Sequence, residues 1–327
     1  MGDDLPAKTE KAGLIKSSLG LVEEWLAYKA MDGASAATVQ TYRISLKKFV
    51  SWAAASDARE VTPATIVEYK GHLLARGYAV QTVNLRLTAV RGFFRYLVVT
   101  ERRNTNPAAE VAGARRPKSK THKRDALTDD EVLAVLDGCD ASEPIGVRDR
   151  AMLTLMAYCG LREVEVHRLN VASVRTAGDR MVLDVHGKGR MEADETVVVP
   201  RAQERHVRMW MSERREIAPF GPSEPLFVSL SRRSFGGRLA TRSIRQIVRG
   251  HFGAAGVVGA RKTTHSLRHS AITRAIKGAV AQGRSPLAVQ AMARHGSFDT
   301  TLGYYHEVDR LEAPAEDLIS YEGELET

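Results

Sequence analysis

Thr264-His265-Ser266-Leu267-Arg268-His269 opens the stretch on which the reading of this chain turns. It continues through apolar residues at helical spacing to Ala293-Arg294-His295-Gly296, and closes on Thr300-Thr301-Leu302-Gly303-Tyr304-Tyr305-His306. Bases, cations and phenols are thus gathered in one short run. His265 and Arg268 are three apart, so on a helix they share a face where an imidazole and a guanidinium grip one anionic group. A phenol follows on the next element. Taken singly, each motif also has an ordinary reading: a solvated helix start for HSLRH, a half-buried aromatic pair for Tyr304-Tyr305. Zinc is a poor reading of His265 and His269, because Ser266 stands where a metalloprotease helix carries glutamate and no third ligand is evident.

With 327 residues, 43% of them hydrophobic, the chain suits two domains, each with enough apolar side chains to bury a core. The formal net charge is +9, yet Leu311–Thr327 contains six acids and no Lys or Arg, so the positive excess lies upstream. Such an excess points to a polyanionic partner, nucleic acid first, although solvated basic faces are common. Cys139 and Cys159 are the only cysteines, too few for a disulfide scaffold, and a reducing cytoplasm is the expected setting. The start, Met1-Gly2-Asp3-Asp4-Leu5-Pro6, lacks the basic-then-apolar order of a signal peptide, and no apolar run is long enough to span a bilayer.

After a polar lead over residues 1–15, the spacing predicts helices over residues 16–103. Leu19 to Met31 is amphipathic; Val39, Tyr42, Leu46, Phe49 and Val50 share a face; Thr62-Pro63 supplies a cap and an N1 proline before Ile66, Val67, Leu73 and Leu74. Val83, Leu85, Val90, Phe93, Phe94 and Leu97 form the last face, with Arg86 and Arg91 off it. Residues 104–125 read as a basic linker carrying Arg115, Arg116, Lys118, Lys120, Lys123 and Arg124, suited either to a clamp on a duplex or to a plain solvated tether. Thr128-Asp129-Asp130-Glu131 is a capping box that opens a second domain over residues 126–310. There the pattern predicts a helix to Tyr158, a break at Gly160, short strands over Val171–Val174, Met181–Val185 and Thr196–Val199, and helices from Arg201 and Thr241.

Four separated motifs occur in a telling order: Gly160-Leu161-Arg162-Glu163-Val164-Glu165; Gly187-Lys188-Gly189 at a hairpin turn; His265-x-x-Arg268-His269; and His295 followed nine positions on by Tyr304. Together they resemble the tyrosine recombinases, the family of phage integrases and Xer-type recombinases. The N-terminal unit adds Thr38-x-x-x-Tyr42-x-x-x-Leu46-x-x-Phe49-x-x-Trp52 and Asn84-x-Arg86-Leu87-x-x-Val90-Arg91-x-Phe93-Phe94, similar to that family's core-binding domain. The fold expected is mainly α: an N-terminal helical core-binding (SAM-like) domain plus an α+β catalytic domain with a small three-stranded antiparallel sheet. Two departures stand out. Ala293-Arg294-His295 replaces the usual Leu-Gly-His, with the Arg294 side chain expected outward or on DNA, and the chain near Lys277–Arg284 is longer.

The resemblance implies a site-specific recombinase that cuts and rejoins strands through a 3′-phosphotyrosyl intermediate. A phenolate can conserve the phosphodiester bond energy in a covalent link, and cations aimed at the non-bridging oxygens offset the charge of the crowded transition state. The implied catalytic set is Arg162, Lys188, His265, Arg268, His295 and Tyr304, with Glu165 in support. Tyr304 is the nucleophile, Tyr305 its rival by register; Arg162 and Arg268 hold the phosphate; His265 takes the phenol proton or helps hold the phosphate; His295 donates to it; Lys188 protonates the departing 5′ oxygen. His269 and His306 read as structural. Arg43, Asn84, Arg86, Arg91, Thr241 and Arg242 are the DNA-binding candidates, the last two opening a helix for the major groove. Implied partners are double-stranded DNA with paired half-sites, further copies of the chain up to a tetramer, and an accessory or directionality protein. No metal, cofactor or membrane is implied. The alternatives are a type IB topoisomerase or hairpin-forming resolvase with the same chemistry, or a non-catalytic DNA-binding relative. The early start of the core-binding helices favours a simple recombinase without an arm-binding domain, and the acidic tail over residues 311–327 reads as a segment exchanged between protomers.

Overall fold

The computed structural model describes residues 19–55, 61–115, 126–187, 193–259, 261–285, 287–294 and 296–305, and the chain divides into two compact units between Lys118 and Ser119. The first unit is helical: α1 (residues 19–31), α2 (Ala36–Ala55), α3 (Pro63–Ala75) and α4 (Val80–Val99). Helix α3 begins where the sequence marks it, since Thr62 Oγ1 accepts the Thr65 N–H and Pro63 needs no partner at N1. Each helix contributes one apolar stripe to a common core of Val22, Trp25, Leu46, Phe49, Ile66, Tyr69, Leu73, Leu87, Phe93 and Phe94. The stripes are narrower than the sequence suggests. Val67, Leu74 and Leu85 remain 50%, 43% and 43% exposed. Gly92 marks the closest approach of α4 to α1, where an added Cβ would lie 2.9 Å from the Trp25 ring.

The chain after α4 does not leave the first unit at once. Ala108 and Val111 are buried in its core, so the segment read as the start of a linker is docked at least to residue 114. Polar clasps from Asn84 and Arg91 hold it there.

In the second unit, the Thr128–Glu131 capping box opens α5 (Asp129–Asp137) as expected. Helix α6 (Pro144–Tyr158) is the hub: Ala151, Met152, Leu153, Leu155 and Met156 are all buried, so no amphipathic stripe marks it. Then come α7 (Glu163–Arg168), β1 (Val174–Ala177), β2 (Arg180–His186), β3 (Ala193–Val198), α8 (Arg201–Ile217), α9 (Thr241–Ala254), α10 (Thr264–Ala281), α11 (Leu287–Ala293) and α12 (Phe298–Tyr305). The strands form an antiparallel sheet in the order β1-β2-β3. Val174 pairs with Leu183 and Val182 with Val198, and the β2–β3 ladder ends in an irregularity at Val185/His186. The first strand starts at Val174 instead of Val171, because the Asn170 N–H donates to Ser173 Oγ and winds Val171–Ser173 into a 3-10 turn. Polar residues that cap locally compete with strand in this way.

Trp210 of α8 stacks on Phe227 and donates its indole N–H to the Leu226 carbonyl, in the core shared with α6. Cys159 ends α6 in that core, and burial pushes its thiol up to about 12, the reverse of what a reactive thiol needs. Among the described residues, no helix is long and apolar enough to cross a membrane.

Candidate active site

The site is built on the break after α6. Gly160 adopts φ +61, which lets the chain reverse without a Cβ penalty and sends Leu161 into the core and Arg162 to the N-cap of α7. Arg162 is fastened at both ends to the buried Glu165: its N–H donates to Oε2 at 2.7 Å and its Nη1 to Oε1. Burial pushes the Glu165 carboxyl up, but the Arg294 cation, the Arg162 N–H and the Arg162 and Arg268 cations together hold it below the usual carboxylate range. A charged Glu165 therefore holds the Arg162 side chain, 23% exposed, at the mouth of the site.

Helix α10 supplies the second cation. At its start the Thr263 N–H donates to Ser266 Oγ at 3.0 Å. Arg268, 6% exposed, donates Nη1 to the Gly160 carbonyl and Nη2 to the Ala293 carbonyl, tying the α6–α7 break to the end of α11. Burial, and then repulsion from Arg162 and Arg294, pull its guanidinium down to about 10, so it stays cationic at neutral pH. His265 is half-buried one turn earlier on α10, beside Glu163, whose carboxyl burial pushes up but Arg245, the Thr264 hydroxyl and lastly His265 hold below its usual range. Glu163 also pairs with Arg245 of α9 and accepts the Thr264 hydroxyl, locking α7, α9 and α10 together.

Tyr304, on α12, is only 8% exposed and packs among Ile272, Ile276, Val289 and Ala293. Its ring lies against His269, centroids 4.7 Å apart. His269, read from the sequence as structural, thus touches the candidate nucleophile; the i, i+4 spacing from His265 gave no sign of it. The Tyr305 side chain, Lys188, His295 and His306 lie outside the described residues, as do residues 116–125 of the basic segment and the acidic tail. The neck of the Lys188 hairpin is described: the Gly187 N–H donates to Asp194 Oδ1 at 3.0 Å.

The DNA-binding candidates fall into two groups. In the first unit their side chains are engaged with neighbouring groups of that unit. Arg43 forks onto Glu23. Arg86 is 7% exposed with its guanidinium 4.0 Å above the Tyr78 ring, so it sits inside the unit, not off its apolar face. Arg91 donates Nε to the Ala108 carbonyl and Nη2 to the Val111 carbonyl, and Asn84 clasps the backbone of Ala114. These residues anchor the segment after α4, contacts with no local sequence signal. In the second unit, Thr241 is the first residue of α9 and Arg242 is exposed beside it, with Arg245 and Arg249 along the same outer face. Arg294 is corrected too. It turns inward, 2% exposed at the side chain, and pairs with Glu165 at 2.8 Å.

A model of the phage integrase family matches residues 125–310, and one of the phage integrase N-terminal SAM-like domain matches residues 22–101. The chain is 32% identical over 232 residues to tyrosine recombinase XerC of Alcanivorax borkumensis, covering 71% of this chain and 70% of that protein. It is 30% identical over 279 residues to tyrosine recombinase XerC of Haemophilus influenzae, covering 82% of this chain and 86% of that protein. The crystal structure of XerH site-specific recombinase bound to palindromic difH substrate, a post-cleavage complex, shares the fold with a TM-score of 0.70 at 19% identity, over 97% of this chain and 89% of that one. The chain belongs to the phage integrase family and is a tyrosine site-specific recombinase.

Proposed function

We propose that this chain acts on double-stranded DNA as a simple, Xer-like recombinase in the cytoplasm, two copies on each pair of half-sites and four in the synapse. The reading is carried by one observation: Arg162 and Arg268 arrive from different elements, and both are fastened around the Gly160 break, Arg162 through Glu165 and Arg268 through the Gly160 carbonyl. Two guanidiniums fixed in this way form a preorganised receptor for a phosphodiester, with little rearrangement left for the reaction.

In the mechanism assigned, the Tyr304 oxygen attacks phosphorus, the bond from phosphorus to the 5′ oxygen breaks, and a 3′-phosphotyrosyl bond forms. His265 takes the phenol proton or holds a non-bridging oxygen, His295 donates to the phosphate, and Lys188 gives a proton to the departing 5′ oxygen. Attack by the 5′ hydroxyl of a second strand reverses the step and completes exchange. Residues 16–103 then serve as the core-binding domain, 126–310 as the catalytic domain, and the acidic segment 311–327 as the piece exchanged between protomers. The named relatives are recombinases, which favours strand exchange over DNA relaxation or end sealing.

A half-site substrate nicked close to the cleavage point loses its 5′-hydroxyl fragment and traps the covalent complex. Trapping is expected with the wild type and with Tyr305→Phe, and is expected to vanish with Tyr304→Phe. Covalent complex formed by Tyr304→Phe would move the nucleophile elsewhere.

A further inference from the structure

We propose that Arg294 is a positioning residue for strand cleavage: from a left-handed backbone turn after α11 it clamps Glu165, and through Glu165 it fixes Arg162 against the scissile phosphate. The inference deepens the recombinase reading and rests on it. Arg294 adopts φ +53, a conformation that L side chains other than Asn and Asp seldom take and that glycine takes freely. The chain accepts that strain and uses the side chain it permits. Nη1 donates to the Met292 carbonyl at 2.8 Å, and Nη2 to the Gly160 carbonyl at 3.1 Å and to Glu165 Oε2 at 2.8 Å. Nε faces Glu195 Oε2 of β3 at 3.9 Å. A single guanidinium therefore meets the α6–α7 break, the end of α11 and the hairpin.

The consequence runs through Glu165. Its Oε1 is taken by the Arg162 side chain, while Oε2 is shared by the Arg162 N–H and Arg294. The charged groups facing this buried carboxylate are Arg162 from its own helix start, Arg268 from α10 and Arg294. Without Arg294, half of the Oε2 partnership is lost, and the carboxyl takes up a proton at a higher pH than before. A protonated Glu165 grips the Arg162 guanidinium less well, and a misplaced guanidinium is a poor partner for the phosphorane-like state.

Arg294→Gly tests this, because it removes the clamp while relaxing the backbone; Arg294→Asn, also tolerant of the left-handed region, carries the test should the glycine variant fail to fold. Three measurements on full-length protein with the nicked half-site decide. The covalent-cleavage rate is expected to fall on the order of 100-fold, the cost of a catalytic group displaced by about 1 Å, while half-site affinity is unchanged. The acid limb of the cleavage–pH profile is expected to move to higher pH, which a loss of general packing would not produce. A substrate with a neutral methylphosphonate at the scissile position, needing less cation at the non-bridging oxygens, is expected to cleave at similar rates with variant and wild type. Wild-type cleavage of the ordinary phosphate with an unmoved acid limb would overturn the role of Arg294. Failure of the wild type itself to form a covalent complex would instead overturn the recombinase mechanism assigned to the chain.

Discussion

Asn84 places its side-chain amide across the backbone of Ala114, accepting the Ala114 N–H at 2.7 Å and donating to the Ala114 carbonyl at 3.1 Å. Gly113 leaves room for that clasp: a Cβ there would sit 2.8 Å from Asn84 Oδ1 and force the amide to shift. The helical pattern shows that Asn84, Arg86 and Arg91 are polar positions on α4, but polarity does not say which of them will hold chain that returns after the helix ends. Asn84→Ala strips the Ala114 backbone of both partners and is expected to destabilise the first unit by about 1–2 kcal/mol. The urea midpoint of the full chain's earliest transition reads this. An unchanged midpoint together with weakened DNA binding would place Asn84 on DNA instead. Arg162 and Arg268 were singled out in advance by the resemblance of their ordered motifs, and both side chains are fastened around the Gly160 break, Arg162 through Glu165 and Arg268 through the Gly160 carbonyl. The inward turn of Arg294 was not legible in the sequence, since it depends on a backbone φ that no side-chain pattern reports.

Among the elements, α9 shows most clearly what period alone leaves out. Its apolar stripe of Ile244, Val248 and Phe252 was plain in the sequence and is buried as read. Its last turn also carries His251, which meets Asp149 of α6 at 3.1 Å and Cys139 after α5, beside a buried Arg148–Asp149 pair. These partners lie 102 and 112 positions away along the chain, out of reach of any local reading. The hydrogen bond to Asp149, followed by that to Cys139, raises the half-buried imidazole to about 9. The folded pKa thus lies above the unfolded one, so the charged ring stabilises the fold fully below pH ~6.5 and this contribution is lost as pH rises through about 9. From 6.5 to about 9 the conversion gives on the order of 3 kcal/mol for the charged state. Stability of the catalytic unit, measured by denaturant titration at intervals from pH 6 to 10, is expected to decline more steeply in the wild type than in His251→Gln. Equal slopes would show that the ring titrates without regard to folding. Since α9 begins at Thr241-Arg242, the same staple sets the pose of the helix proposed for the major groove.

At the scale of the whole molecule, charge is the property that spans the chain. The net +9 is distributed over two compact units and the run Arg115, Arg116, Lys118, Lys120, Lys123 and Arg124, while the stretch after Arg310 has six acids and no Lys or Arg. In the first unit Arg43 pairs with Glu23 and Arg91 holds the Ala108 carbonyl, just as Arg245 of α9 pairs with Glu163, so these guanidiniums reach phosphates only by sharing or exchanging a partner. We propose that the connecting run and the exposed Arg242 and Arg249 of α9 carry much of the sequence-independent affinity. Phosphate contacts release counterions and carry no base information. Replacing all six cations of the run with glutamine is therefore expected to weaken binding to cognate and unrelated duplexes alike. The slope of log affinity against log salt is expected to flatten by up to about 5, at ~0.9 per phosphate contact. Titrations of both duplexes at several salt concentrations separate the outcomes. Loss confined to the cognate duplex, with the slope intact, would assign the run to base reading and leave the backbone affinity to the two folded units.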